Sequence, residues 1–461
     1  MDDLSRYQDV LGQLPRLKTY THLLLLFPLQ DEDDRHVVVQ SLRAAIQRLT
    51  KAFPWLAYKV CHNEKGPGNS GVFRVEPCPV LATPDNTVRP TDCSHTLASY
   101  EEIVAARAPI SMLDGRILGP VKAFPETYEE SASEPAPVLV LQVNFVDGGI
   151  LLDTAAQHNI IDGGGLLHCT RLLAKAMRGD EFTSAELEQG NRDRRHLVRL
   201  LSAGEPMLDH SHLIREPLSG SSAHQHPAAS GRTPASWACY RFPSANVARI
   251  KDRANKDITE MSAPGKPFVS TNDALSAFVW KRLAAVRLAR RQKPDDFSKF
   301  SRALDARRAL QIPKEYMGQM GYNATCHMTF QELQDSSLGD VALLMRRAVQ
   351  DVNSEYSVRS WATLIANEPD KSKIMFGGTF NPDTDIGLSS LIHAGVEGVV
   401  FGMLGKPDLI RRPRFLPLES CVYFWSRTEA EDVDVLMCLR SDDMRALREE
   451  EEWSNAVEFI G

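Results

Sequence analysis

The stretch QHNIIDGGG, residues 157–165, sets a lone histidine four residues before an aspartate and closes on three glycines. Three readings suit His158 and Asp162: an acid–base pair, half of a metal site, or a sharp turn that happens to contain a histidine. Imidazole titrates at about 6.5, so it can take and return a proton at neutral pH. A positioned base of this kind contributes roughly 10²–10⁴-fold to a reaction that deprotonates its nucleophile.

The metal reading finds no support elsewhere in the chain. The cysteines Cys61, Cys78, Cys93, Cys169, Cys239, Cys326, Cys421 and Cys438 stand singly, with no CxxC and no Cys/His cluster at zinc spacing. Reduced, buried thiols in a cytoplasmic protein are the expectation. HSH (210–212) and HQH (224–226) lie in a Ser/Gly/Pro-rich stretch without a carboxylate scaffold and read as surface histidines. No metal is expected.

The elements around His158 follow from pattern. VLVLQVNFVDGGILLDTAAQH (138–158) reads as two strands around Asp147-Gly148-Gly149, a hairpin signal. His158 then ends the second strand. Leu166, Thr170, Leu173 and Met177 mark one helical face after the glycines, and Gly179 is the expected C-cap. The order strand, histidine, tight turn, helix projects a side chain from rigid elements, which suits a reacting group.

Elsewhere, residues 20–29 read as a strand ended by Pro28. Val38, Leu42, Ile46, Leu49 and Phe53 mark a helix from Arg35 that Pro54 closes. Residues 203–236 read as a long crossover between two halves, 1–202 and 237–461. A helix over 271–291 is expected with Thr271 as its cap. CVYFW (421–425) and VDVLMCLR (433–440) read as antiparallel core strands, and SDDMRALREEEEW as a terminal helix with Asp442 and Asp443 at its positive end.

Bulk properties narrow the classes. The chain has 461 residues, 43% hydrophobic and 25% charged, the composition of an ordinary globular protein. A net charge of −7 argues against nucleic acid as a partner. The N-terminus has neither a basic nor an apolar leader segment, and HLLLLFPL (22–29) is too short to span a bilayer. No membrane association is expected.

HxxxD alone is a weak motif, but HxxxDGxG (His158, Asp162, Gly163, Gly165) after a hairpin is stronger. With it the chain resembles the BAHD acyltransferases of the chloramphenicol acetyltransferase-like fold, nearest the fungal branch typified by trichothecene 3-O-acetyltransferase. LTKAFPWLAYKV (49–60), STNDALSAFVWKRLAAVRL (270–288), ALDARRAL (303–310) and FGMLGKPDLIRRPRF (401–415) follow in the family's order. The resemblance implies an α/β (α+β) fold of two lobes, each a mixed sheet flanked by helices, with a channel between them. Acetyl-CoA or another acyl-CoA would enter from one face. An acceptor, a terpenoid, alkaloid or polyketide alcohol, would enter from the other.

His158 would be the general base. Asp162 would turn away from it and pair with Arg307. Gly163 and Gly165 would shape a turn needing either positive φ or close backbone approach. Counting back from FGMLGKP, Ser389 is the candidate donor to the developing oxyanion. Two departures stand out: Leu391 where the family has Trp, and Val400 where its second signature has Asp. For the phosphates of coenzyme A, Lys406 and Arg411 in GKPDLIRRPRF and Lys251 in ARIKDR are candidates. Ser270 and Thr271, at a helix start, are candidate donors, and Asp305 lines the donor side. A channel within one chain implies a monomer. The competing expectations are an N-acyltransferase, a repurposed cyclase, hydrolase or condensation-type catalyst using His158 without acyl-CoA, and a non-catalytic binding protein.

Overall fold

The computed structural model describes the chain except residues 1–2, 30, 32–33, 132–133, 216–232, 260–266, 393–394 and 396–397. The first half carries strands β1 (Tyr20–Pro28), β2 (Tyr58–Asn63), β3 (Val72–Pro77), β4 (Val88–Asp92), β5 (Leu139–Val146) and β6 (Gly149–Gln157). The second carries β7 (Ala235–Phe242), β8 (Phe297–Asp305), β9 (Gly321–Thr329), β10 (Ile386–Ser390), β11 (Leu409–Arg411), β12 (Cys421–Arg427), β13 (Val433–Arg440) and β14 (Glu458–Phe459).

These strands form a five-stranded sheet, β11-β1-β6-β5-β4, a seven-stranded sheet, β14-β7-β13-β12-β10-β8-β9, and a small β2-β3 pair. Both large sheets are mixed. β4 runs parallel to β5, and β10 parallel to β8 and β12, while the other pairs are antiparallel. The two halves interlock, because β11 pairs with β1 at Leu25↔Ile410.

The expected hairpin forms as β5 and β6, with Val146 opposite Gly149. Gly148 takes φ +78°, and a Cβ on Gly149 would lie 2.1 Å from the Tyr100 ring. Every residue of both strands is buried. Such near-continuous burial belongs to strands covered on both faces. The helix Asp34–Ala52 presents Val38, Leu42, Ile46 and Leu49 as expected, with Val39 and Ala45 completing its buried stripe. It packs on the helix Gly163–Arg178, which ends in a left-handed Gly179.

The seven-stranded sheet splits its side chains by strand parity. Tyr240, Phe242, Val422, Phe424, Val435 and Met437 join one core beneath the helices Ser244–Lys256, Thr271–Arg291 and Leu338–Val352. Trp237, Cys239, Trp425, Leu436 and Cys438 join the core of the first lobe instead. The sheet is therefore a wall between the lobes, and its first-lobe face is where His158 looks for partners.

Three expectations need correction. The N-cap of the Thr271–Arg291 helix is Ser270, not Thr271: its hydroxyl accepts from Asp273 N and closes a capping box. The terminal helix is two pieces, Ser441–Glu449 and Glu451–Ser454. Glu450 breaks it by capping the second piece, and Trp453 turns in among Tyr240, Phe242 and Phe278. The crossover stops before 236, since β7 begins at Ala235. Its described part is tied to the helix Glu355–Asn367 by Arg359–Glu205 and by Ser360, which contacts Leu208 N and His210. His210 is thus partly occupied, and HQH (224–226) lies outside the described residues. No metal-holding group of His, Cys, Asp and Glu occurs among the described residues.

Candidate active site

His158 follows the last residue of β6, and its backbone N–H donates to Thr19 O at 2.8 Å. The side chain is partly open to solvent. The ring is influenced by the backbone of His158 itself, which favours its charged form. The tautomer with its proton on Nδ1 leaves the lone pair on Nε2. Nε2 has no hydrogen-bond partner among the described residues. The Gln319 amide stands 3.4 Å from Nδ1, and Gln319 Oε1 accepts from Gly321 N, which fixes the amide's orientation. Burial pushes the imidazole pKa below its ordinary value, and the charge of Arg16 pushes the same way. Its own backbone and the charge of Asp162 oppose this. The imidazole is held neutral at physiological pH, as a general base requires.

Asp162 caps the Gly163–Arg178 helix and is not oriented to serve His158. Its Oδ1 accepts from Gly165 N (2.7 Å) and Arg307 Nη2 (2.9 Å). Its Oδ2 accepts from Arg307 Nη1 (2.8 Å) and Met320 N (2.8 Å). A carboxylate offers about four lone-pair sites, and all four are taken. Arg307 bonds Tyr316 O, Gly318 O and Asp305 as well. Burial alone would lower the arginine's pKa, but the Asp162 and Asp305 carboxylates outweigh it and hold the pKa above the ordinary value. This brace fixes the 316–321 loop, which in turn sets Gln319 against His158.

The glycines owe nothing to left-handed backbone, since none of residues 163–165 has positive φ. Gly165 is a close-approach glycine: its Cβ would fall 2.2 Å from Met317 O. Gly163 would meet only Leu391 Cδ2, at 3.9 Å, so the helix start faces open space.

Ile386 and Leu388 of β10, with Ile392 just beyond it, enter the second core, so Ser389 and Leu391 take the opposite, first-lobe face with Cys421 and Tyr423 of the neighbouring strand. Leu391 packs against the first core at the position where the family has Trp. Ser390 instead follows the core side, its hydroxyl buried without a partner. The loop that lacks an aspartate at Val400 is held otherwise, by Arg178 donating to Val400 O and by Phe401 packing on Phe27 at 5.3 Å.

The expected coenzyme contacts divide. Lys251 and Lys406 are exposed, Lys406 beside Glu429 at 3.3 Å. The Asp305 carboxylate is open to solvent (53%), and Oδ2 is 3.5 Å from a Cβ built on Gly164. Burial and the Asp162 charge raise its pKa against the pull of Arg307. Ser270 is a poorer donor than expected, because its hydroxyl donates to Asp273 Oδ2 at 2.6 Å. Thr271 is buried and accepts from Arg427 at 3.3 Å. Arg411 must be withdrawn from the phosphate set. It is buried in the five-stranded sheet, ion-paired to Asp434 at 2.9 Å and bonded to the Arg107 and Ala108 carbonyls.

Gln319, 3.4 Å from the His158 ring, and Arg16, whose charge acts on that ring, were missed. They sit in LPRLKTY and YMGQMGY, which carry no spacing signal. Only the fold brings them to residue 158.

Residues 19–177 match the trichothecene 3-O-acetyltransferase-like N-terminal domain, and residues 121–454 match the transferase family. The O-acetyltransferase epaC of Aspergillus niger is 46% identical over 462 residues, spanning 100% of this chain and 98% of that protein. The O-acyltransferase pigD of Monascus ruber is 46% identical over 461 residues, spanning 100% of both. The crystal structure of F. graminearum TRI101 complexed with coenzyme A and deoxynivalenol superposes with a TM-score of 0.89 at 32% identity, covering 98% of this chain and 99% of that one. The chain belongs to the transferase family, as an acyltransferase built on a trichothecene 3-O-acetyltransferase-like N-terminal domain.

Proposed function

We propose that the protein transfers an acyl group, in the simplest case acetyl, from a coenzyme A thioester to a hydroxyl of a fungal secondary metabolite, with His158 as general base. The observation that carries this is the division of labour at residues 158–162. The imidazole is neutral with a free Nε2 at an open strand end, while Asp162 is saturated by Arg307 and backbone. Support for the donor and the acceptor class comes from relatives named O-acetyltransferases and from similar structures solved with coenzyme A and a trichothecene.

Bound acyl-CoA supplies an already activated thioester carbonyl, so no acyl-enzyme is required. His158 Nε2 takes the hydroxyl proton as the oxygen bonds to the carbonyl carbon. The carbon–sulfur bond then breaks, and the imidazolium returns the proton to the departing sulfur. Ser389, on the first-lobe face of β10, is the candidate donor to the carbonyl oxygen as it gains charge. Lys251 and Lys406, exposed and basic, are the remaining candidates for the phosphates. Gly163, facing open space, leaves room for the thioester arm.

The lobes are taken as residues 1–202 and 235–461, joined through 203–234, with β11 lent back to the first sheet. We take the chain as a monomer because both sheets beside His158 come from one chain. A cytoplasmic location is supported by eight free cysteines. No helix among the described residues is long and apolar enough to cross a membrane.

The test is incubation with acetyl-CoA and a panel of hydroxylated metabolites while free thiol is followed. Acceptor-dependent thiol release that disappears in His158→Ala is expected. No release with any acceptor, together with no coenzyme A binding by calorimetry, overturns the reading.

A further inference from the structure

Arg16 occupies a place that the acyl-transfer chemistry above does not use. It lies in the one-turn helix Pro15–Leu17, directly before β1, and three residues on, Thr19 O receives the backbone N–H of His158. Leu14 and Leu17, on either side, are buried in a cluster with Ala306, Tyr316 and Met320. That burial anchors the turn and leaves the Arg16 side chain exposed.

The guanidinium lies over two rings, Phe124 at 5.7 Å and Phe376 at 5.3 Å, and donates to Phe376 O at 3.3 Å. It has no carboxylate partner among the described residues. Arg194, Arg241, Arg287, Arg302, Arg307 and Arg359, which are also closely packed, each have one. A guanidinium carries five N–H donors in a planar fork, and one backbone carbonyl uses one of them. The surroundings are not fully aqueous: burial by neighbouring protein brings the Arg16 pKa down to about 10. Its charge acts on His158, Lys299 and Cys421. A cation over two aromatic rings, on the turn whose Thr19 holds the backbone of His158, and without a carboxylate among the described residues, is an incomplete ion pair.

We propose that Arg16 is the acceptor-recognition group, and that the acceptor is a planar, hydroxylated molecule carrying an anionic oxygen, a carboxylate or an ionised enol. The rings of Phe124 and Phe376 receive the flat part, the guanidinium fork receives the anion, and the hydroxyl is thereby set toward Nε2 of His158. This deepens the acyl-transfer reading and rests on it for the role of the hydroxyl.

The test uses the full chain saturated with coenzyme A and matched probes: hydroxymethyl-substituted aromatic carboxylic acids and their methyl esters. Binding is read by calorimetry. A charge-assisted fork is worth about tenfold or more in affinity, so the acid should bind at least about tenfold better than its ester. In Arg16→Gln that ratio should fall to about one, and Arg16→Lys should restore part of it. The ratio cancels any effect passing through His158 or through folding, because both probes meet the same protein. Equal binding of acid and ester to the wild type, or a preference that survives Arg16→Gln, overturns the proposal. Thiol release from acetyl-CoA is followed with the same probes. An acid preference without any thiol release counts against acyl transfer and leaves the assignment of Arg16 standing.

Discussion

His22 and His158 lie on the same pair of strands and look alike in the wrong order. His22, on β1, hydrogen-bonds the Asp153 carboxylate of β6 through Nδ1 at 2.7 Å, with both side chains fully buried. His158, just past the end of β6, has no carboxylate partner among the described residues and is partly open. A search for histidine–aspartate dyads would select His22. Yet His22 is closed over by Phe415 at 4.5 Å, and its Nε2 and Asp153 Oδ1 have no partner among the described residues. Burial raises the Asp153 carboxyl above its ordinary value, against the opposing charge of His22. That pair belongs to the core. Solvent access and an unpartnered Nε2 make His158 the candidate base, and a carboxylate contact does not make His22 one.

The comparison can be broken at several points. The largest effect is expected at His158→Ala, which should lower kcat by roughly 10²–10⁴-fold with little change in melting temperature. His22→Ala should do the reverse, costing about 3–5 kcal/mol in urea unfolding by stranding Asp153, while the folded fraction keeps its turnover. A reversal of these two results would make His22 the base.

Asp162→Asn sharpens the contrast between the two carboxylates. It turns two of the four accepted bonds into donor clashes and leaves Arg307 half-paired. A stability loss of about 3–5 kcal/mol is expected, with the acid limb of the pH–rate profile displaced only slightly to lower pH, because the Asp162 charge that supports the imidazolium is gone. Wild-type stability combined with a strongly shifted profile would restore Asp162 as the partner of His158.

Ser389→Ala, if the hydroxyl meets the carbonyl oxygen, should cost about 10²–10³-fold in kcat with an unchanged KM for acetyl-CoA. Ser390→Ala is the control. Its hydroxyl points into the second core, so the change should be near neutral for activity.

The smallest effect concerns pH. The folded-state pKa of His158 is depressed, chiefly by burial and secondarily by Arg16. Activity should therefore stay full through pH 7 and fall only below about 6.5, as the imidazole protonates. Removing the Arg16 charge makes the imidazolium less unfavourable, so the acid limb of kcat/KM should move to higher pH in Arg16→Gln. A limb that stays in place would detach Arg16 from the base.

Much of this was legible in the sequence where chemistry and period coincide. The hairpin before His158, the helix after it and the left-handed Gly179 follow from alternation, turn residues and helical spacing within one short stretch. The family's motif order anticipated the Asp162–Arg307 bond across 145 residues, and the geometry shows it. Arg411 misled because a basic run reads as phosphate-binding when its burial is unknown. Ser270 and Thr271 exchanged roles because both are capping residues, and only backbone conformation separates them.

What the sequence determined by itself is the local machinery: which side chain can exchange a proton at neutral pH, and the strand and helix that hold it. Those depend on residue type and near-neighbour spacing. Tertiary structure alone decided which imidazole is reachable, which carboxylate is saturated, and that Gln319 and the charge of Arg16 act on residue 158. Access and pairing are properties of surfaces brought together from distant segments, here the turn before β1, the 316–321 loop and the first-lobe face of β10. No local pattern encodes which surfaces meet.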